Sequence, residues 1–233
     1  MLDFKSYRLL TFDCYGTLID WESGIFSALR PILRGHGKIV SDSTLLELYG
    51  EFEAQAEAGE YRGYREVLQS VVRAFGERLG FAPSDAEQRS LPDSLQHWPA
   101  FPDTVEALCR LQSKYELAVI SNIDDDLFAR TLPKLGVRFS EVVTAQQAGC
   151  YKPCLHLFRM AAERCSISPE HWLHVGQSIY HDVVPARSLG IATVWVNRPS
   201  PRQGVGAVRQ ASGEPDLQVP DLKTLADLAC CAP

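Results

Sequence analysis

The stretch RLLTFDCYGTLID (residues 8–20) decides the fold, because a short apolar run ends abruptly at an acidic residue. Residues 8–12 have the length and composition of a buried strand, and Asp13 follows them directly. Similar runs recur further along the chain, separated by stretches long enough for helices; they cover residues 117–120, 142–144, 173–175 and 192–196. Continuous apolar runs that alternate with helices are typical of a parallel sheet buried on both faces. The sequence therefore predicts an α/β fold with a parallel sheet flanked by helices.

The uneven spacing of these runs predicts an insertion. About a hundred residues separate the first run from the second, and the intervening segment places apolar residues at intervals of three and four, as in YREVLQSVVRAFGERLGF. Gly80 and the following Pro-Ser-Asp predict the end of one helix and the start of the next. We predict a helical cap at residues 18–98 and a core formed by residues 1–17 and 99–233, with a surface loop at 199–215 and a last helix at 222–229.

Composition excludes several classes of protein. The chain has 233 residues, 22% of them charged, and a formal net charge of -6, which is ordinary for a globular protein and disfavours nucleic acid or an anionic membrane as partner. No apolar window approaches a membrane span and no secretory signal is visible, so we expect a cytoplasmic protein. Seven cysteines without a repeating pair pattern predict free, mostly buried thiols rather than a zinc site.

Polar residues follow four of the five predicted strands. Asp13 follows the first, Ser121 and Asn122 follow the second, Lys152 lies just past the third, and the segment 177–182 follows the fourth. Each residue alone is an ordinary cap, turn or solvated side chain. Because ligands of parallel sheets bind at the carboxyl ends of the strands, the four together predict a functional site there.

These segments also carry a resemblance to a known family. DCYGTLID (residues 13–20), SN (121–122), KP (152–153) and GQSIYHD (176–182) resemble, in order and spacing, the four motifs of the haloacid dehalogenase superfamily. The resemblance implies a Rossmann-like core with a cap. Most members are phosphatases with a second Asp where this chain has Tyr15, and with a magnesium-binding acid where it has Gln177. The Asp-x-Tyr-Gly-Thr form instead resembles the L-2-haloacid dehalogenase branch.

That branch implies a mechanism and a role for each residue. The Asp13 carboxylate would displace halide from a short 2-haloacid, giving an ester that water hydrolyses to the 2-hydroxy acid. Lys152 would keep Asp13 ionised, Thr17 and Ser121 would orient the nucleophile or the substrate carboxylate, and Asp182 would position water. Further substrate contacts are implied for Asn122, for Gln177 and Ser178, and for Tyr15, which could equally be a core aromatic. Cys14 should point away from Asp13.

The resemblance also implies a small-molecule carboxylate substrate, no cofactor and no metal, and it suggests a homodimer. It is weakest in the cap, where the expected arginine is missing from LYGEF (residues 48–52), so Arg62 or Arg65, with Tyr61 and Tyr64, would have to line the pocket. Ile179 stands where the dehalogenases have Asn. Two alternatives remain open: a phosphatase that uses magnesium on a small phosphate ester, and a non-catalytic protein with the same fold.

Overall fold

The computed structural model describes residues 2–199, 207 and 211–231, and its centre is a six-stranded sheet. All the strand pairs are parallel, in the order β3-β2-β1-β4-β5-β6. The strands are β1 (Leu9–Phe12), β2 (Glu116–Ser121), β3 (Glu141–Thr144), β4 (Trp172–Gly176), β5 (Ala192–Val196) and β6 (Leu217–Val219). The five predicted strands are confirmed to within one residue at each end. β6 was not predicted, because a strand of three residues is too short to show a periodic pattern of apolar residues.

Helices flank this sheet and also fill the long interval between β1 and β2. They are α1 (Trp21–Gly35), α2 (Asp42–Glu57), α3 (Tyr64–Leu79), α4 (Asp85–Ser94), α5 (Thr104–Gln112), α6 (Asp125–Thr131), α7 (Ala145–Ala148), α8 (Leu155–Arg164), α9 (Val184–Ser188) and α10 (Leu222–Cys231). A single π-helical turn at Ile179–Val183 precedes α9. The predicted fold class and last helix are confirmed. The predicted loop at 199–215 lies largely outside the described residues.

Capping residues set the ends of the inserted helices. Gly80 adopts a left-handed φ of 72° and ends α3, and Ser84 forms a reciprocal capping box with Glu87 at the start of α4. The chain enters and leaves the insertion side by side, since Ile19 bridges Ala100 in antiparallel fashion. We refer to α1–α4 as the cap helices; the exact domain boundaries stay a prediction.

The strands next to the site are buried on both faces, as a doubly covered parallel sheet requires. Leu10 and Phe12 of β1 pack in the larger core cluster together with cap residues, whereas Leu9 packs on the opposite face. The expectation of mostly buried cysteines is wrong: of the six cysteines whose side chains are described, all free, only Cys14 is buried. The others lie on helices and loops outside the sheet. None of the described helices is long and apolar enough to cross a bilayer.

Candidate active site

The sheet order places the predicted polar segments around Asp13. β1 lies between β2 and β4, so Asp13 at its carboxyl end is flanked by the ends of both neighbouring strands. A small cavity of about 60 Å³ lies there. The predicted residues that line it are Asp13, Tyr15, Tyr64, Ser121, Asn122, Lys152, Gln177, Ser178 and Asp182. Residues up to 169 positions apart in the sequence therefore meet at one edge of the sheet.

A buried lysine joins two carboxylates at the centre of the site. Lys152 Nζ lies 2.9 Å from Asp13 Oδ1 and 2.6 Å from Asp182 Oδ1, and it donates to the carbonyl of Ile120 at 3.0 Å. Burial opposes the ammonium form, but the two carboxylates outweigh it and raise the pKa of Lys152. The three ionisable groups form one charge-assisted network with almost no exposure to solvent.

The two carboxylates of this network differ in their electrostatics. Burial, reinforced by the nearby Asp182, raises the pKa of Asp13, although Lys152 and Thr17 act against it. Burial of Asp182 is outweighed by Lys152 and His174, so its pKa is lowered. Of the two carboxylates, the protein therefore stabilises the anionic form of Asp182 more than that of Asp13.

Two turns hold the carboxylates in place. Thr17 Oγ1 donates to Asp13 Oδ2 at 2.9 Å and accepts from the backbone N–H of Gln177 at 2.9 Å, which ties the loop after β1 to the loop after β4. Gly176 is required by close approach, because a Cβ there would lie 2.5 Å from the side chain of Asp182. Thr17 therefore contacts Asp13, the candidate nucleophile, although Thr17 does not itself line the cavity.

His174 belongs to the site although the sequence analysis assigned it no role. His174 is buried in β4, its Nε2 lies 3.3 Å from Asp182 Oδ1, and its Nδ1 lies 2.7 Å from the hydroxyl of Thr11. Trp172 Nε1 donates to that same hydroxyl at 2.7 Å. Because a carboxylate only accepts, Nε2 donates to Asp182. A polar residue inside a buried strand was the signal available in the sequence.

Ser121 and Asn122 have different surroundings although they are adjacent. The Ser121 Oγ is buried and, within the described part of the chain, has no hydrogen-bond partner. Asn122 Oδ1 accepts from the backbone N–H of Lys152 at 2.7 Å, and its Nδ2 donates to the backbone carbonyl of Lys152 at 3.2 Å. Asn122 therefore fixes the loop that carries Lys152, while Ser121 offers an unused hydroxyl to a ligand.

The arginines expected from the cap are not in this cavity. Arg62 donates to the carbonyl of Ala56 at 2.6 Å and lies 3.7 Å from Glu66, and Arg65 pairs with acidic residues on the surface. The start of α3 is docked on Asp124, whose two oxygens accept from the backbone N–H groups of residues 64 and 65 at 2.8 and 2.9 Å. Neither arginine lines the cavity, so the sequence-based placement of Arg62 in the pocket is corrected.

Tyr15 is both a wall of the cavity and a core aromatic, so the two roles considered for it coincide. Its hydroxyl lies 2.8 Å from Thr131 Oγ1 and its ring packs edge-on against Trp98, with the centroids 5.9 Å apart. Burial raises its pKa well above the ordinary value. Cys14 is fully buried and does not line the cavity, as predicted from strand alternation.

Two glutamates of α2 also line the cavity, and the sequence analysis did not predict them. Glu53 and Glu57, one helical turn apart, face Asp13 and Lys152 from the cap side. Within GEFEAQAEAG they are indistinguishable from the solvated face of an amphipathic helix. Spacing alone could have shown that they share a face, but not which way that face points.

The residues at this edge do not fit a magnesium ion. The four oxygens of Asp13 and Asp182 accept from Lys152, Thr17, His174 and the backbone N–H of Ser178. Gln177 supplies a neutral amide where a hard dication favours an anionic oxygen. Among the described residues no group of three or more His, Cys, Asp or Glu side chains is arranged to hold a metal.

The fold and the site define a class: an α/β protein with a lysine-bridged pair of aspartates at the carboxyl edge of its sheet, covered by inserted helices. A model of the haloacid dehalogenase-like hydrolase family matches residues 7–190. The chain belongs to that family of hydrolases.

Relatives within the family differ in what their names state. The chain is 29% identical over 213 residues to the mouse haloacid dehalogenase-like hydrolase domain-containing protein 3, with 83% of each chain covered. It is 31% identical to a phosphoserine phosphatase of Thermus thermophilus, over 66% of this chain and 62% of the relative. In structure it is similar to the L-2-haloacid dehalogenase from Xanthobacter autotrophicus, with a TM-score of 0.80, 20% identity and coverage of 95% and 98%. This last likeness shows the fold alone.

Proposed function

We propose that the chain is a hydrolase of carbon–halide bonds in which the Asp13 carboxylate is the nucleophile and a short 2-haloacid is the first substrate class to test. One observation carries the proposal: Asp13 is held by Lys152 and Thr17, while the position two residues later is Tyr15. An alkoxide leaving group needs a proton from a nearby acid, whereas a halide leaves as a stable anion without one. The site therefore suits a leaving group that needs no protonation.

The reaction divides into two steps. An Asp13 oxygen attacks the carbon that bears the halogen, a C–O bond forms, and the C–X bond breaks with its electron pair leaving as halide. Water then hydrolyses the ester, which releases the alcohol and a proton and regenerates the carboxylate. The Ser121 hydroxyl, which has no partner in the described structure, is available to the substrate carboxylate. Asp182 holds Lys152 beside Asp13, and its ionised form keeps that lysine charged.

Halide release from 2-chloropropionate and 2-bromopropionate in the presence of a metal chelator tests the proposal. Asp13→Asn should abolish release, whereas Asp85→Asn, at an exposed position in the first turn of α4, should leave it intact. A single turnover in H₂¹⁸O should label the Asp13 carboxylate rather than the product, because water attacks the ester carbonyl. Absence of halide release with chloro-, bromo- and fluoro-acids would refute the proposal.

A phosphatase is the second candidate, and the phosphoserine phosphatase relative favours it. The lack of fit for magnesium and the missing second aspartate weigh against it. Phosphate release from an aryl phosphate, measured with and without added magnesium, separates the two candidates. Magnesium-stimulated phosphate release without halide release would replace the first proposal by this one.

A further inference from the structure

The two cap glutamates lie where a substrate must pass. Glu53 and Glu57 line the small inner cavity at Asp13 and also an adjoining outer chamber of about 390 Å³. The outer chamber shares Lys152 with the inner one and adds Tyr61 and Tyr151 to its lining. The inner cavity, about 60 Å³, is much the smaller of the two, so a substrate that does not fit within it extends into the outer chamber. The remainder of a substrate bound at Asp13 therefore lies against the glutamates.

Hydrogen bonds from two tyrosines favour the carboxylate form of Glu53, against the effect of burial. The hydroxyls of Tyr49 and Tyr64 both donate to Glu53 Oε1, at 2.9 and 2.6 Å. Two donors that converge on one carboxyl oxygen favour the carboxylate form. Burial nevertheless raises the pKa values of Glu53 and Glu57, because among the described residues the nearby positive charge does not make up for the loss of water around them.

The charge of the described cavity is unbalanced. Four carboxyl groups line the inner cavity, and Lys152 is the only lysine or arginine that lines it in the described part of the chain. That lysine is already shared between Asp13 and Asp182. Glu53 and Glu57 therefore have no lysine or arginine of the described cavity left to pair with.

Two further features indicate that a ligand completes this site. The Ser121 Oγ is almost fully buried at the cavity and has no partner among the described residues, although a buried hydroxyl without one is unfavourable. The rings of Trp21, Tyr15 and Tyr64 also line the cavity. Aromatic rings combined with carboxylates are the surroundings that bind ammonium and quaternary ammonium groups in proteins.

We propose that the substrate carries a positively charged nitrogen, which Glu53 and Glu57 bind while the reacting carbon faces Asp13. The proposal rests on the proposed function for what happens at Asp13. The binding of the charged nitrogen, however, can be measured without any reaction. It explains why the cap has acidic residues where a simple haloacid would need an arginine. A substrate that is only an anion would instead bring a further carboxylate into a cavity already lined by four carboxyl groups.

Binding of choline, measured by calorimetry against its neutral carbon isostere 3,3-dimethylbutan-1-ol, tests the nitrogen site. Choline should bind at least about 10-fold more tightly than the isostere, and Glu53→Gln or Glu57→Gln should remove most of that difference. Glu47→Gln, an equal charge change on the exposed face of α2, should preserve it. Thermal unfolding of each variant identifies any that fails to fold. If Glu53→Gln fails, Glu57→Gln still tests the site, since Glu57 makes no side-chain hydrogen bond to any residue that the structure describes. Equal binding of choline and the isostere would overturn the proposal.

Turnover separates this proposal from the proposed function. With 2-chloroethyl-trimethylammonium, Asp13 would displace chloride and water would release choline and a proton, and the rate should exceed that with 2-chloropropionate. Choline binding that depends on Glu53, without halide release from any substrate, would support the nitrogen site and refute the dehalogenase chemistry. Turnover of 2-chloropropionate without choline binding would support the chemistry and overturn the nitrogen site.

Discussion

Replacing Lys152 by methionine tests the central network most directly. The side chain is 1% exposed, and its ammonium is the shared partner of Asp13 at 2.9 Å and Asp182 at 2.6 Å. Methionine keeps most of the volume but leaves two buried carboxylates side by side without a cation. Removal of one partner from a buried ion pair typically destabilises a protein by about 3–5 kcal/mol, and here two carboxylates lose their partner at once.

The expected loss depends on pH in a defined direction. Because the pKa of Asp182 is lowered in the native protein, its ionised form stabilises the fold at any pH above the pKa of an unfolded aspartate, about 4. This stabilisation is lost as the pH falls below that value and through the native pKa. In Lys152→Met both carboxylates should instead have raised pKa values, which destabilises the fold at neutral pH and is relieved on protonation. The difference between the two proteins should therefore be largest near neutrality and shrink toward about pH 4.

Urea unfolding followed by tryptophan fluorescence at several pH values measures this difference. Lys223→Met, which removes an exposed lysine paired with Asp227, is the matched control and should leave the free energy of unfolding almost unchanged. Adding Asp13→Asn to Lys152→Met should recover part of the loss, since one unpaired charge is removed. A loss below about 1 kcal/mol, or one independent of pH, would refute the assignment of Lys152 as the shared counter-ion.

Three further predictions concern a binding group, a docking contact and a helix end. Ser121→Ala should raise the free energy of unfolding by about 1 kcal/mol, because it removes a buried hydroxyl without a partner, yet lower kcat/KM; a parallel loss of both would contradict this role. Asp124→Ala should lower the free energy of unfolding in urea by about 2 kcal/mol, because α3 loses the acceptor of two backbone N–H groups. The same change should raise KM more than it lowers kcat, and an unchanged KM would contradict this role. Gly80→Ala should lower stability by about 1 kcal/mol in the same assay with kcat/KM unchanged, since residue 80 has a φ of 72°.

The sequence predicted the sheet and the core of the site because both depend on short-range patterns. Apolar runs show where strands lie, and the carboxyl ends of parallel strands converge whatever the connections between them. Asp13, Ser121 and Lys152 could therefore be placed together before their distances were known. β6 and His174 were missed for opposite reasons: the first is too short to show a pattern, and the second is a polar residue whose partners, Thr11 and Asp182, are set by strand pairing.

The cap was less predictable because the direction of a helix face is a tertiary property. Glu53 and Arg62 are both polar residues of the cap, and nothing in their spacing says which one faces Asp13. Docking of α3 on Asp124 decides it, since this contact directs Arg62 to Ala56 while the hydroxyl of Tyr64 reaches Glu53. In the proposed function the reacting end of the substrate contacts residues that sequence motifs predict. In the further inference the other end contacts Glu53 and Glu57, which only packing places at the cavity. Relatives with similar motifs and different cap charges are therefore expected to act on different substrates.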